Sequence, residues 1–257
     1  MKYVVADFES TAQKIIHSIS FVPVHVKESK EWVSHGRGVQ AEFRKNRSIT
    51  RGVLRTIFIR EALDDPYVSE NPNVQAKLGR TIVHGGSSEV LPFRDALCEF
   101  MHTVWEQGDG NWLAHAMDNE LEILNVTDTH FKTRLFPKNL RAFPDHSTIP
   151  GWSKISKVCT QHLLTTRCPE FFLDYTRWMT MNGWTNMKFS ARLEDFVRFI
   201  QDNRDYTQKH IAPCDVIDLC DVLALAHPVL DGKSYMISQP VSKWSGIQMK
   251  TASTSSL

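Results

Sequence analysis

Long apolar runs are missing from this chain, and cysteine is sparse. No segment carries the roughly 20 apolar residues a membrane-crossing helix needs. The opening stretch Met1–Asp7 is too short in apolar residues for a signal peptide, so neither export nor a membrane partner is expected. The five cysteines, Cys98, Cys159, Cys168, Cys214 and Cys220, are odd in number and contain no C-x-x-C pair. Free thiols in a reducing, cytoplasmic compartment suit that pattern better than a disulfide framework. Cys159, His162 and Cys168 offer three zinc-type donors, but their spacing is irregular and a fourth ligand is not evident, so buried thiols are the better reading. Internal repeats are lacking too. Net charge is close to zero, +1 from 30 basic and 29 acidic residues, and by itself points to no partner.

What is present fits a globular protein. A chain of 257 residues, 42% hydrophobic and 23% charged, has room for one α/β domain with additions or two small domains at most. Charge is unevenly spread. Between Trp32 and Arg60 lie Arg37, Arg44, Lys45, Arg47, Arg51, Arg55 and Arg60 against the single acid Glu42. Such a segment can neutralise phosphates, although a solvated surface with acidic partners from elsewhere is the commoner use of a basic cluster.

Local pattern divides the chain unevenly. The apolar run after Lys2 predicts a buried strand, and Lys14–Val26, β-rich with partial alternation, predicts its antiparallel partner. From 28 to 88 the pattern is poor, with breakers at Asp64–Pro66 and His84–Ser88, and it reads as a loop region or insertion; Leu54–Ala62 is a short helix or strand within it. Phe93, Leu97, Phe100, Met101 and Val104 recur at helical spacing between Pro92 and Gly108, predicting an amphipathic helix. A short buried strand follows over Asn111–Ala116, a helix from Met117, and a strand over Ile155–Thr160. Helices are expected around Phe172–Met181, Ala191–Gln201 and Cys214–Ala226. Beyond Pro228 the periodicity is lost, and 229–257 reads as a partly disordered extension. Strands first, then helices alternating with strands, predict a mixed β-sheet flanked by helices.

Three places carry acids where an α/β sheet gathers ligands. Asp7 and Glu9 close the first strand and, two residues apart, share one of its faces. Two adjacent carboxylates repel unless a cation lies between them or one keeps its proton. Hard ions such as Mg²⁺ and Mn²⁺ favour such oxygen donors, although the pair alone suits a strand ending at solvent equally well. The second place is Ala114–Leu124, where a strand opens into a helix bearing Asp118, Glu120 and Glu122. The third is His210–Asp215, at the start of an apolar helix.

With D-x-E in the first strand, an acid after Ala114-His115, and H-x-x-x-x-D at His210 and Asp215, the chain resembles the DEDDh 3′-to-5′ exonucleases of the ribonuclease H-like superfamily. The order fits, and so do the separations of about 110 and about 90 residues between successive motifs. The resemblance covers roughly 1–228. The second motif departs from the family, in which aspartate is usual there. Against the family pattern H-N-x-x-[FY]-D-x-x-x-L, the register from His115 and Leu124 favours Glu120. Asp118 is the rival, because some relatives carry the acid three residues after the histidine. The two positions lie about 200° apart around a helix, so only one can face the site. His115 itself reads as a structural residue at a strand end.

The resemblance implies an α/β, ribonuclease H-like fold and a metal-dependent hydrolase that releases nucleoside monophosphates from the 3′ end of RNA or DNA. Asp7, Glu9, Glu120 and Asp215 would hold two Mg²⁺ or Mn²⁺ ions about 4 Å apart, one activating water and one stabilising the leaving oxygen. His210 would be the general base. Ser10 and Thr11 would lie beside the terminal nucleotide. The basic segment, with Arg44, Lys45 and Arg47, would clamp the incoming strand, and Trp32 or Phe43 would be available for stacking. Two other readings stand beside this one: a catalytically decayed nucleic-acid-binding module on the same fold, and a small-molecule phosphohydrolase using the same acids. The oligomeric state is left open, a homodimer among the alternatives.

Overall fold

Strand β1, Lys2–Ser10, is where the two halves of the interior meet. Its even-numbered apolar residues Val4, Ala6 and Phe8 enter one core and Tyr3 and Val5 the other, as the two-residue period of a strand requires. The computed structural model describes residues 2–26, 49–166, 169–184 and 191–226. Within it β1 pairs antiparallel with β2 (Ile16–Val26) on one side and parallel with β6 (Asn111–Ala114) on the other.

Among the described residues the sheet has seven strands. β4 (Arg55–Ile59) continues the antiparallel meander from β2, β5 (Ser87–Leu91) adds in parallel to β4, and β7 (Ser156–Cys159) adds in parallel to β6. The short β3 (Ile49–Arg51) pairs with the far end of β2. The expected mixed sheet with helices on its faces is therefore what forms. Leu54–Ala62, expected as a short helix or strand, holds β4 and the start of a short helix. Residues 49–88 otherwise require a correction, because in place of the anticipated loop region they hold β3 and the start of β5. They also hold three helices, α1 (Arg60–Leu63), α2 (Pro66–Ser69) and α3 (Pro72–His84). Residues 27–48 and 227–257, including the expected extension, lie outside the described residues.

One face of the sheet is covered by α4 (Phe93–Gly108) and α5 (Met117–Phe131). Phe8 stacks on Trp112 at 5.4 Å, and Phe100 meets both rings edge-on. Pro92 immediately precedes α4, as its fixed φ favours, and the Glu61 carboxylate accepts the first helical N–H, that of Phe93, at 2.9 Å. At the other end of α4, a Cβ on Gly108 would lie 2.9 Å from Val4 Cγ2, so only glycine lets the helix sit this close to β1.

The opposite face carries α6 (Thr160–Thr166), α7 (Pro169–Met181), α8 (Leu193–Gln201) and α9 (Ala212–Ala226). Helix α9 lies against β1 and β2 and supplies Val216, Leu219, Val222 and Leu223 to the core that holds Tyr3 and Val5. Among the described residues no helix is long and apolar enough to cross a membrane.

Candidate metal centre

Asp7 and Glu9 continue the Tyr3–Val5 face of β1 beyond its last apolar residue, so they emerge beside the start of α9. Asp215 lies in the first turn of that helix, one turn before Leu219, and the apolar seam that docks α9 on the sheet also fixes its carboxylate. One oxygen from each of Asp7, Glu9 and Asp215 lies within 4.8 Å of the others. Residues more than 200 positions apart in sequence thus form a single acidic cage.

The fourth acid comes from α5. The last β1–β6 pair is Val5 with Leu113, so further along β1 the backbone needs other partners. The Phe8 N–H finds one in the Glu120 carboxylate. Glu120 is buried, and its charge acts on Asp7 more strongly than that of Glu9 or Asp215. Asp118, two residues earlier, is also buried, but it faces the Arg141 guanidinium at 3.9 Å. Of the two rivals, Glu120 is the one brought to the cluster.

Burial and mutual repulsion push these acids towards the protonated form. Asp7 and Glu120 are raised well above the carboxylate range, first by burial and then by neighbouring acids. Asp215 is raised to about 7, by burial and by Glu9. Glu9 rises by burial, and Lys77, His210 and the Ala212 backbone N–H at the start of α9 oppose that rise.

Two oxygens in the cage, Glu120 Oε2 and Asp215 Oδ1, are buried and accept no hydrogen bond. Buried carboxylate oxygens left without donors are costly. The clustered carboxylates of Asp7, Glu9 and Asp215, with Glu120 acting on them electrostatically and two of these oxygens bare, offer a hard, all-oxygen donor set of the kind that suits Mg²⁺ or Mn²⁺.

His210 is exposed, in left-handed backbone at φ 49°, and lies close enough to Glu9 for its charge to act there. Ser10 is partly exposed beside the cage. Thr11 is buried and organises the turn into β2, its hydroxyl accepting from the Ile15 N–H at 3.2 Å. His115 stands apart. It bridges Thr160 (2.9 Å) and the Ala191 carbonyl (2.7 Å), and burial pushes it down to about 4, as suits a neutral structural imidazole.

Arg44, Lys45 and Arg47, together with Trp32, Phe43 and Cys168, lie outside the described residues. Of the basic segment's far end, Arg55 is not available as a clamp. It pairs with Glu89 and Glu99 at 2.6 and 2.7 Å and lies over the Phe21 ring. Cys159 is a buried free thiol.

Two side chains at the site went unnoticed in the sequence. Lys77 of α3 is hydrogen-bonded to Glu9 Oε2, and Gln208 donates to Asp215. Asn71-Pro72 followed by Val74, Leu78 and Thr81 is a cap-and-stripe signal that would have revealed α3, though not the direction of Lys77. Gln208 has no local signal. The sequence matches no protein-family model and no curated protein.

Proposed function

We propose that this protein is a metal-dependent 3′-to-5′ exonuclease with a ribonuclease H-like fold, releasing nucleoside monophosphates from RNA or DNA. The observation that carries the reading is the cage of Asp7, Glu9 and Asp215, with Glu120 acting on Asp7 and two buried oxygens, Glu120 Oε2 and Asp215 Oδ1, left without donors. The mixed sheet, with its antiparallel β1–β2 pair and parallel β6 and β7, is compatible with that fold.

The four acids would hold the ions. An Mg²⁺ or Mn²⁺ ion held there would supply Lewis-acid stabilisation to a phosphodiester and its departing 3′ oxygen. The chain's own groups do the rest. Helix α9 and the Ala212 N–H hold Glu9 and Asp215 in place, and the Phe8 N–H orients Glu120. His210, exposed beside Glu9, accepts the proton of the attacking water, a task for which imidazole is suited near neutral pH. Ser10, partly exposed next to the acids, is available to the sugar of the terminal nucleotide.

The test is a panel of 5′-labelled single- and double-stranded RNA and DNA with Mg²⁺, Mn²⁺ or chelator. Ladders shortening from the 3′ end with metal, absent with chelator and absent in Asp7→Ala, are expected. Cleavage that persists in chelator, or only internal cuts, would refute the mechanism. Metal-insensitive binding without cleavage would point to the decayed module.

A further inference from the structure

The Lys77 ammonium is bonded directly to the acid cage. It reaches in from α3, a helix capped by Asn71 that touches α9 and sends Val74 and Leu78 into the core on the α4–α5 face of the sheet. Its ammonium bonds Glu9 Oε2, and its charge acts on Asp7 and Asp215 as well. The Glu9 side chain is only 8% exposed, whereas that of Lys77 is 25% exposed, so the lysine has an open side through which to leave.

We propose, building on the metal-nuclease reading, that Lys77 is a positioning residue that stands on Glu9 as an internal counter-ion and yields that carboxylate to metal when a substrate phosphate takes up its ammonium. The reasoning is one of exclusion and exchange. An ammonium and a divalent ion on the same carboxylate repel each other across a few ångströms of poorly solvated space. One therefore weakens the other. Lysine's charge sits at the tip of a flexible four-carbon stem with three donors, so it can swing where a guanidinium fork would be tied to one geometry. A phosphate bound beside the cage is the natural acceptor for the displaced charge. Because lysine opposes metal and favours phosphate, metal and nucleotide bind with positive coupling, and linkage makes that coupling reciprocal. The design holds metal loosely until the 3′ end is present.

The experiment is Mn²⁺ binding to the full chain, followed by electron paramagnetic resonance of the free ion, with and without thymidine 5′-monophosphate. Wild type should bind Mn²⁺ and bind it more tightly with the nucleotide, and Asp7→Asn should lose binding. Lys77→Met and Lys77→Gln should bind Mn²⁺ about tenfold more tightly than wild type without nucleotide, as expected for removal of a repelling charge at this range. They should also lose the nucleotide's enhancement. Lys77→Arg, which keeps the charge, should bind no more tightly than wild type. Structural damage would lower affinity, so a gain cannot come from misfolding. Unchanged or weaker Mn²⁺ binding in both neutral variants, with Asp7→Asn still defective, overturns the role of Lys77 and leaves the metal reading intact. If wild type binds no Mn²⁺, or Asp7→Asn binds as well as wild type, the metal reading itself falls and this proposal with it.

Discussion

Asp118 and Glu120 stand two residues apart at the start of α5, and each has its own partner: Asp118 faces Arg141 at 3.9 Å, while Glu120 accepts the Phe8 N–H and acts electrostatically on Asp7. Helical geometry forces the division, because two steps rotate a side chain by about 200°. Alanine at the two positions should therefore give unequal results. Glu120→Ala is expected to lose Mn²⁺ binding and nuclease activity, and Asp118→Ala to retain both within about threefold, because its partner Arg141 is a half-exposed cation away from the cage. Isothermal titration with Mn²⁺ and a 5′-labelled oligonucleotide assay read the contrast directly, and equal losses would put the acid assignment in error.

The raised carboxylates make stability depend on pH in a definite direction. Asp215 is pushed up to about 7 in the folded chain from a carboxylate's ordinary 3.8. Between those values the folded state holds a proton that the unfolded chain releases, so this contribution is full below about pH 4 and is lost as pH rises through about 7. His17 and His115, both lowered to about 4, work in the opposite sense, their contribution being lost as pH falls from 6.5 through 4. Thermal melts in chelator should isolate the carboxylate part. Asp215→Asn should flatten the fall in stability between pH 5 and 7 relative to wild type. Mn²⁺ should raise the melting temperature of wild type more at pH 7.5 than at pH 5. Parallel pH profiles for wild type and the variant would contradict the shift.

For His210, the expectation is a rate effect with metal binding spared. His210→Ala should lower kcat by about 10²–10⁴, the range found for a general base. Mn²⁺ affinity should change little, because the four acids remain. A drop in Mn²⁺ affinity as large as the drop in kcat would make the histidine a ligand instead.

Thr127 ties α5 to β2 and so helps hold Glu120 in place. Its buried hydroxyl accepts from the Ile16 N–H at 2.9 Å and donates to the Ile123 carbonyl at 2.7 Å. Thr127→Val keeps the shape and strands the Ile16 amide. A loss of about 1–3 kcal/mol is expected in denaturant unfolding, the usual result of leaving a buried donor unmet. A loss below about 0.5 kcal/mol would show that the amide finds another acceptor.

Where one physical period dominated, the sequence was readable. The strand pair β1–β2, helix α4, strand β6 and the apolar helix α9 all stand where alternation or a 3.6-residue stripe put them. Residues 49–88 defeated that approach for identifiable reasons. β4 is five residues long and runs straight into a four-residue helix, so Leu54–Ala62 was legible only as a short helix or strand, and Val74 and Leu78 of α3 are only a thin stripe among polar neighbours. The acids at 7, 9, 120 and 215 could be picked out because a spaced motif survives in one dimension. Lys77 could not, since the direction of a long flexible side chain is decided by what packs around its helix. The bulge in β2, where Ser10 pairs with Ile16 and Glu9 with Ser18, leaves buried His17 as an extra residue, and alternation gives no warning of it.

The two halves of the site rest on ground of different firmness. Asp7 and Glu9 belong to a strand in the middle of the sheet that pairs with β2 along its length and with β6 at Val4 and Val5, whereas His210 sits on exposed, left-handed backbone between helices. Amide exchange should accordingly be slowest at Val4 and Val5 and fast around Lys209 and His210. On the proposed reading, the proton acceptor would stand on exposed backbone while the acids that anchor the cations stay in register with the sheet, so a change at His210 would alter turnover without loosening the ion cage.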